Sequence, residues 1–272
     1  MSEDRAGVSD PGSETLSGGV SPADYRALLK NRDFRNLALA TGTSALGDWI
    51  GVLAILALTV EIMGPTRAAP FALGAVMAAR VIPAMLLGPV AGVFVDRWNR
   101  KRVLIAADIG RGTVMALIPF TNELLTLLLA TLVIEVLSAL FAPAKDAVFP
   151  RLVRRDQLVA ANQVSLILTY GTLPLGGVLY AGMVSLALAV APAETFLADR
   201  PITLPIWFNA LSFWVSAPLL ARLRIGRAEA PRYVHLEEPG AWQQLRAGLA
   251  FITTHPIIRA LIVGVMVAFV SA

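Results

Sequence analysis

The feature that most constrains the fold is a short charged segment, GVFVDRWNRKRVL at residues 92–104, between two long apolar runs. Before it, the stretch from Phe71 to Val95 carries one charged residue, Arg80, and after it Val103 to Leu129 is again mostly apolar. Apolar runs of about 18 residues or more are long enough to cross a bilayer. Charges grouped between two such runs predict a tight loop at a membrane face. Because cationic loops stay on the cytoplasmic side, this loop also predicts the orientation of the chain.

Composition places the chain among helical membrane proteins with several spans. Of its 272 residues, 56% are hydrophobic and 15% are charged, whereas soluble domains carry about 25% charged residues. The net charge of +4 could indicate nucleic-acid binding, but the cations concentrate in loops on one predicted side, as membrane topology requires. With no cysteine and two histidines, we expect no disulfide and no metal site. We also expect no cofactor and, from the position of the cations, no nucleic-acid partner.

Six membrane-spanning helices are predicted between residues 34 and 221. We expect them at residues 34–61, 69–95, 103–120, 124–142, 161–190 and 202–221. The second is expected to be broken at Pro83 and Pro89, since proline interrupts helical hydrogen bonding. Residues 1–33 are predicted to form a cytoplasmic tail with a short surface helix from Ser21, residues 222–255 a cytoplasmic linker with an amphipathic helix, and residues 256–272 an incomplete seventh span.

Lysine and arginine are distributed unequally between the two predicted faces. The proposed inner segments hold Arg26, Lys30, Arg32, Arg35, Arg97, Arg100, Lys101, Arg102, Lys145, Arg151, Arg154 and Arg155. The outer turns hold Arg67 and Arg200. This asymmetry predicts a multi-pass protein of the cell membrane with a cytoplasmic N-terminus.

The charged segment also resembles a motif of a known transporter family. The pattern is formed by Gly92, Asp96, Arg97, Arg100 and Lys101. It is similar to the loop between helices two and three of major facilitator superfamily transporters, although Asn99 stands where the family has a second glycine. The resemblance implies that the glycine allows close helix packing and that the charges lock a cytoplasmic gate. A plain basic loop that only sets topology is the alternative.

A second segment resembles one particular branch of this family. The stretch FAPAKDAVFPRLVRRDQLVAANQ at residues 141–163 resembles the loop between helices four and five of the macrolide-efflux and enterobactin-exporter-like branch. The implied fold class is an all-α membrane protein, the N-terminal six-helix bundle of a major facilitator fold with two inverted three-helix repeats, plus a linker and the start of a seventh helix. Family members have twelve helices, so the chain is expected to be truncated within the seventh.

The fifth predicted span carries a group of small residues. Gly171, Pro174, Gly176 and Gly177 partly match the glycine–proline motif of helix five in antiporters of the family. In those proteins the motif forms a close, kinked interface between halves. Here Leu173 replaces the glycine expected before the proline, and a generic small-residue packing face is the alternative.

Four ionisable residues fall near the middle of the membrane on four different predicted helices. They are Asp48, Arg80, Arg111 and Glu135. Such groups are costly in a bilayer and are usually functional, so Asp48 and Glu135 are candidates for proton coupling or substrate binding. The two arginines either take part in that role or are structural partners of Asp108 or Glu135. Asp108 and Arg111, three residues apart, are expected to pair.

These features predict a transporter rather than an enzyme. No Walker loop and no His-Glu-x-x-His motif is present. The leading hypothesis is a proton-coupled secondary transporter that exports small lipophilic compounds, drug-like or siderophore-like, by alternating access. Its expected partners are the lipid bilayer, a small-molecule substrate and protons. The alternatives are a truncated half-transporter that does not transport, a half that functions only as a homodimer or with a missing second half, and import instead of export.

Overall fold

A computed structural model describes residues 21–192 and 194–224 with isolated positions between 254 and 264, but not the side chains of residues 89, 90, 93, 94, 96 and 97. The predicted N-terminal tail before residue 21 lies outside the described residues, as do nearly all of the predicted linker and seventh helix. These two segments therefore stay predictions.

The described chain is helical from end to end, which confirms the all-α prediction. Its α-helices are α1 (Pro22–Lys30), α2 (Arg32–Met63), α3 (Ala69–Arg97), α4 (Arg100–Leu117), α5 (Leu124–Leu152), α6 (Leu158–Tyr170), α7 (Leu173–Val190), α8 (Phe196–Asp199) and α9 (Thr203–Ala221). A 3-10 turn, Ile118–Phe120, extends α4. In this part of the chain, six segments are long and apolar enough to cross a membrane: α2, α3, α4, α5, α6 with α7, and α9.

The short helix α1 begins where the sequence predicts it. The Ser21 side chain accepts a hydrogen bond from the Ala23 amide, and the Asp24 carboxylate accepts one from the Ser21 amide, which together form a capping box. Leu28 on this helix is fully buried. The Tyr25 hydroxyl donates to the Gln163 side chain on α6, so α1 is attached to the far half of the bundle.

The prediction that the fourth span ends at residue 142 is wrong. α5 continues through Pro143 and Pro150 to Leu152. Each proline removes a helical hydrogen bond, but Ala144 and Val148 are completely buried in the cluster of apolar residues at this end of the bundle. Tertiary packing of this face therefore holds the helix across both prolines.

The predicted break in the second span is also wrong. α3 runs without interruption from Ala69 to Arg97. Pro83 is buried, and α3 packs along α5. Prolines are tolerated in membrane helices where neighbouring groups satisfy the freed carbonyls.

The fifth span is two helices rather than the predicted continuous one. α6 ends at Tyr170 and α7 begins at Leu173, with Pro174 in its first turn. Because proline has no amide hydrogen, the carbonyls before it lose helical partners. Two side chains compensate: the Trp49 indole donates to the Thr169 carbonyl at 2.7 Å, and the Thr172 hydroxyl donates to Leu168 at 3.0 Å.

The packing of the spans has the symmetry of two inverted repeats. The first span, α2, packs against α9 and against α6 and α7, which are the sixth and fifth spans. The fourth span, α5, packs against α4 and α3, which are the third and second. Exchanging the first three spans with the last three maps one set of contacts onto the other, and spans one and four cross the bundle in opposite directions. This arrangement is that of two inverted three-helix repeats.

The outer surface of the bundle is suited to lipid. Large apolar side chains such as Leu86, Leu125, Val178 and Leu188 are more than half exposed. Apolar patches of this extent do not occur on ordinary soluble monomers. The bundle therefore has apolar side chains on its outer surface, and its charged residues lie inside or at the helix ends.

Candidate functional site

One cavity of about 280 Å³ lies among the first four spans and the end of α6. Its polar lining consists of Thr41, Ser44, Asp48, Arg80, Arg111, Glu135, Ser138, Lys145 and Thr169. The apolar part of the lining comes from Ala45, Trp49, Val52, Phe141 and Ala142. All four ionisable residues predicted near mid-membrane depth line this single cavity.

Arg80 and Glu135 form an ion pair between α3 and α5. The Arg80 Nη2 atom lies 3.2 Å from the Glu135 Oε1 atom, and the two side chains are 19% and 12% exposed. Each charge is therefore neutralised by the other on the cavity wall. Glu135, one of the two candidate acids, already has a cationic partner in this conformation.

Arg111 is held by a second acid and by two aromatic rings. It forms an ion pair with Asp108 one turn earlier on α4, as its spacing predicts, and donates to the Ser138 hydroxyl at 3.4 Å. The guanidinium carbon lies 4.4 Å from the ring centroids of both Phe141 and Phe213. The face of an aromatic ring attracts a cation, more strongly where water is excluded. The buried charge of Arg111 is thus compensated within the bundle.

Asp48 differs from these residues because it has no direct partner. Within the described chain its carboxylate makes neither a hydrogen bond nor an ion pair, although the charges of Arg111 and Arg80 act on it. Thr41 and Ser44 lie on the same face of α2, since they precede it by seven and four residues. The cavity therefore contains an acid that is near two cations but bonded to neither.

The residues beside Asp48 fix the position of α2. A Cβ atom on Gly47 would lie 2.0 Å from the Ser212 Oγ atom of α9, and one on Gly176 of α7 would lie 2.7 Å from the Trp49 Cβ atom. Such approaches exclude any larger side chain without a shift of a helix. α2 is consequently clamped on both sides of the unpartnered carboxylate.

Lys145 is a cavity residue that the sequence interpretation missed, because it placed this lysine in a cytoplasmic loop. Its side chain is 20% exposed and lies 3.9 Å from Asp146, which is 75% exposed. Glu135, Ser138, Ala142 and Lys145 are spaced three or four residues apart and share one face of α5. That spacing is visible in the sequence and could have revealed the residue had the helix been extended past Pro143.

The residues of the charged loop are placed only in part. Lys101 donates to the Leu223 carbonyl at 2.8 Å, which ties the start of α4 to the end of α9. In the described part of the chain, nothing lies within 4 Å of a Cβ atom built on Gly92. The side chains of Asp96 and Arg97 lie outside the described residues, so the gate role of this loop, Arg100 included, stays a prediction.

The small residues of the fifth span have different surroundings. Gly176 touches α2 closely, whereas nothing described lies within 4 Å of a Cβ atom on Gly177. Gly171 and Pro174 lie at the break between α6 and α7, where a Cβ atom on Gly171 would meet the Ile167 carbonyl oxygen at 2.5 Å. One of the four residues therefore makes a close helix contact inside this bundle, and the interface role of the set stays a prediction.

A cluster around Arg200 joins several helix ends on the side of the bundle opposite to α1 and the charged loop. Its Nε atom lies 2.7 Å from Glu61 at the end of α2, and its Nη1 atom donates to the Pro119 carbonyl at 2.6 Å and the Thr121 carbonyl at 3.0 Å. A further bond reaches the Asn122 side chain. The sequence marked Arg200 only as a cation of an outer turn, because nothing local reveals partners about 80 and 140 residues away.

The family model described as "Transmembrane secretion effector" matches residues 24–272. The chain belongs to this family of major facilitator transporters. The match confirms the resemblance drawn from the charged loop and from residues 141–163. It places the chain in a transporter family, and the six membrane-length helices of the described residues indicate a multi-pass membrane protein. No solved structure matches the chain significantly.

Three curated relatives of this major facilitator chain illustrate the family. The MFS-type transporter YfiS of Bacillus subtilis is 28% identical over 90% of the chain and 55% of its own length. The "Multidrug efflux pump Tap" of Mycobacterium tuberculosis is 26% identical over 83% of the chain and 52% of its length. "Macrolide efflux protein A" of Enterococcus faecalis is 37% identical over 28% of the chain and 25% of its length. The chain spans about half the length of the relatives that match most of it.

Proposed function

We propose that this major facilitator chain acts in proton-coupled export of small lipophilic compounds by alternating access. The observation that carries the proposal is the unpartnered carboxylate of Asp48 in a cavity where Arg80, Glu135 and Arg111 have partners. A charged group that is kept from water needs a compensating partner. We therefore propose that Asp48 is neutralised alternately by a proton and by a cationic group of the substrate.

Competition at one carboxylate is sufficient for coupling. When a proton occupies Asp48, a cationic substrate loses its electrostatic attraction to the cavity and is released. When the proton leaves, the substrate can bind again. If the two occupants favour different conformations, the proton gradient drives export, because a ligand shifts an equilibrium only through its differential affinity for the two states.

The lining of the cavity suits compounds that are largely apolar. Trp49, Val52 and Phe141 supply apolar surface next to the charges, as in most small-molecule sites. The names of two relatives, a multidrug efflux pump and a macrolide efflux protein, support drug-like substrates. We propose that this chain acts on substrates of the same kind.

We further propose that the six described spans form one wall of the transport pathway. In this proposal a second six-helix body, either a second copy of the chain or a separate half, covers the cavity and alternates with it between two faces of the membrane. The basic ends of the helices, where α1 and the charged loop lie, face the cytoplasm in this arrangement.

The proposal is tested by efflux from energised inverted vesicles that contain the chain, with lipophilic cationic dyes as probes. We expect proton-driven dye accumulation that is lost in Asp48→Asn, because an amide takes up no proton in this range and attracts no cation. The matched control is Asp156→Asn, the same change at an exposed position that does not line the cavity, and it is expected to retain wild-type accumulation. Equal accumulation by wild type and Asp48→Asn would refute the coupling role.

A further inference from the structure

Lys145 is a charged cavity residue for which the proposed proton cycle has no use. Arg80 is neutralised by Glu135, and Arg111 by Asp108, whose carboxylate is completely buried behind the cavity wall. The Lys145 ammonium lies 3.9 Å from a carboxylate that is 75% exposed. A pair of that geometry and exposure contributes little, because water screens it. The Lys145 ammonium is therefore available to bind another anionic partner.

The position of Lys145 sets it apart from Asp48 along the cavity. Lys145 and Thr41 line both the cavity that contains Asp48 and a small neighbouring one between α2, α5 and α6. Thr41 precedes Asp48 by seven residues of continuous helix, which corresponds to about 10 Å along the helix axis. The acid and the lysine thus lie at different levels of one cavity, with the cation toward the basic end of the bundle.

The surface between the two charges is partly apolar. Ala45 of α2 and Phe141 and Ala142 of α5 lie along this part of the lining, beside the hydroxyl groups of Thr41 and Ser44. A ligand with an apolar body and one ionic group would satisfy Asp48 and leave Lys145 without an anion. A ligand with two groups of opposite charge would satisfy both.

We infer that Lys145 is a specificity-determining residue that binds an acidic group of the substrate, so that the cavity selects lipophilic compounds with a cationic group for Asp48 and an acidic group for Lys145. This inference rests on the proposed function, since it assigns a substrate class to the same cavity. The four-carbon stem of lysine lets the ammonium follow acidic groups at somewhat different distances. Carboxylate, sulfonate and phosphate all meet the requirement.

The test is equilibrium binding to the purified full chain in lipid nanodiscs, without a proton gradient. The probes are rhodamine B, a zwitterion with a free carboxylate, and its ethyl ester, which is a cation with the same aromatic core. We expect wild type to bind the acid about tenfold more tightly than the ester, as one charge-assisted contact allows. Lys145→Gln is expected to remove this preference and leave the affinity for the ester unchanged.

Two further variants make the test specific. Lys145→Arg is expected to keep the preference for the acid, because it retains the charge. Lys30→Gln, the same change at an exposed lysine of α1, is expected to behave as wild type. Equal binding of acid and ester by wild type, or a preference that survives in Lys145→Gln, would overturn the role of Lys145. Absence of binding for both probes would instead contradict the drug-binding cavity of the proposed function and the inference with it, whereas a clear preference without vesicle transport would contradict the transport proposal alone.

Discussion

Partners decide which of the charged side chains in the cavity can respond to a ligand. Arg80 and Glu135 neutralise each other, and Arg111 is enclosed by Asp108 and two phenylalanine rings. Their charges are therefore compensated by other residues of the bundle. Asp48 has no such partner, although it lies in the same cavity. In the proposed function, Asp48 is therefore the acid that exchanges one counter-charge for another.

The ion pair of Arg80 and Glu135 predicts non-additive effects on stability. Arg80→Gln or Glu135→Gln alone leaves a partly buried charge without its partner, and each should lower the free energy of unfolding by about 1–3 kcal/mol. The double variant should lose less than the sum of the two. Unfolding in detergent, followed by circular dichroism, gives the three values.

The control for this cycle is the exposed pair of Arg154 and Asp156, whose atoms approach to 3.0 Å. Its removal should change the free energy of unfolding by less than about 1 kcal/mol. Strictly additive losses at Arg80 and Glu135 would show that the two side chains do not depend on each other.

Two adjacent glycines predict opposite tolerance to a methyl group. In Gly176→Ala the new Cβ atom would stand 2.7 Å from the Trp49 Cβ atom, so α2 or α7 must shift. A loss of about 1–3 kcal/mol in unfolding free energy is expected from such overpacking. In Gly177→Ala nothing described lies within 4 Å, and thermal unfolding in detergent should not show a lower melting temperature. A similar loss in both variants would contradict the close contact.

The sequence indicated which residues lie deep in the membrane but not how they pair. Depth follows from counting residues along each predicted span, and this predicted a similar level for Asp48, Arg80, Arg111 and Glu135. The structure brings all four to one cavity. Pairing depends on which faces of separate helices turn toward each other, and that is a property of the tertiary structure. The local pair of Asp108 and Arg111 was predictable because helical spacing alone decides it.

At the level of helices, proline had different effects at different places. α3 and α5 continue past their prolines, whereas the fifth span is interrupted near Pro174. Buried neighbours stabilise the continuous helices, and Trp49 and Thr172 stabilise the interrupted one through hydrogen bonds. Because the outcome depends on neighbours from other helices, the local sequence predicted the breaks wrongly in all three spans.

The Arg200 cluster predicts a local effect at the helix ends that lie opposite the basic loops. Arg200→Gln removes the ion pair with Glu61 and the bonds to the turn that follows α4. Hydrogen exchange should become faster at the end of α2 and at residues 118–122, because these segments lose shared bonds. The exposed Arg67→Gln is the matched control and should leave exchange unchanged. Unchanged exchange in Arg200→Gln would refute the stabilising role of the Arg200 cluster.

The whole bundle is a symmetric frame that was predictable through its family. Apolar run lengths predicted the six membrane-length helices of the described residues, and the two sequence motifs predicted the family. The packing of α1 against α6 was harder to predict from the sequence, because the burial of Leu28 depends on residues of α6 that are far away in the chain. A fold class can therefore be predicted correctly from the sequence while long-range contacts of this kind are missed.

The proposed orientation predicts which loops can be labelled from outside the cell. The chain has no cysteine, so single-cysteine variants have no background. Thr66→Cys in the turn after α2 should react with a membrane-impermeant maleimide on intact cells, and Asp156→Cys between α5 and α6 should react only after permeabilisation. The reverse pattern would place the N-terminus outside.

The exchange of helices that relates the two repeats also relates α2, which carries Asp48, to α5, which carries Glu135. The two helices occupy equivalent positions in the fold, but their acids differ, because Arg80 forms an ion pair with Glu135 and none with Asp48. A bundle with two similar repeats thus contains a site in which the two repeats carry different charge arrangements. In a frame made from duplicated parts, one acid is thus paired with a cation and its counterpart in the other repeat is not.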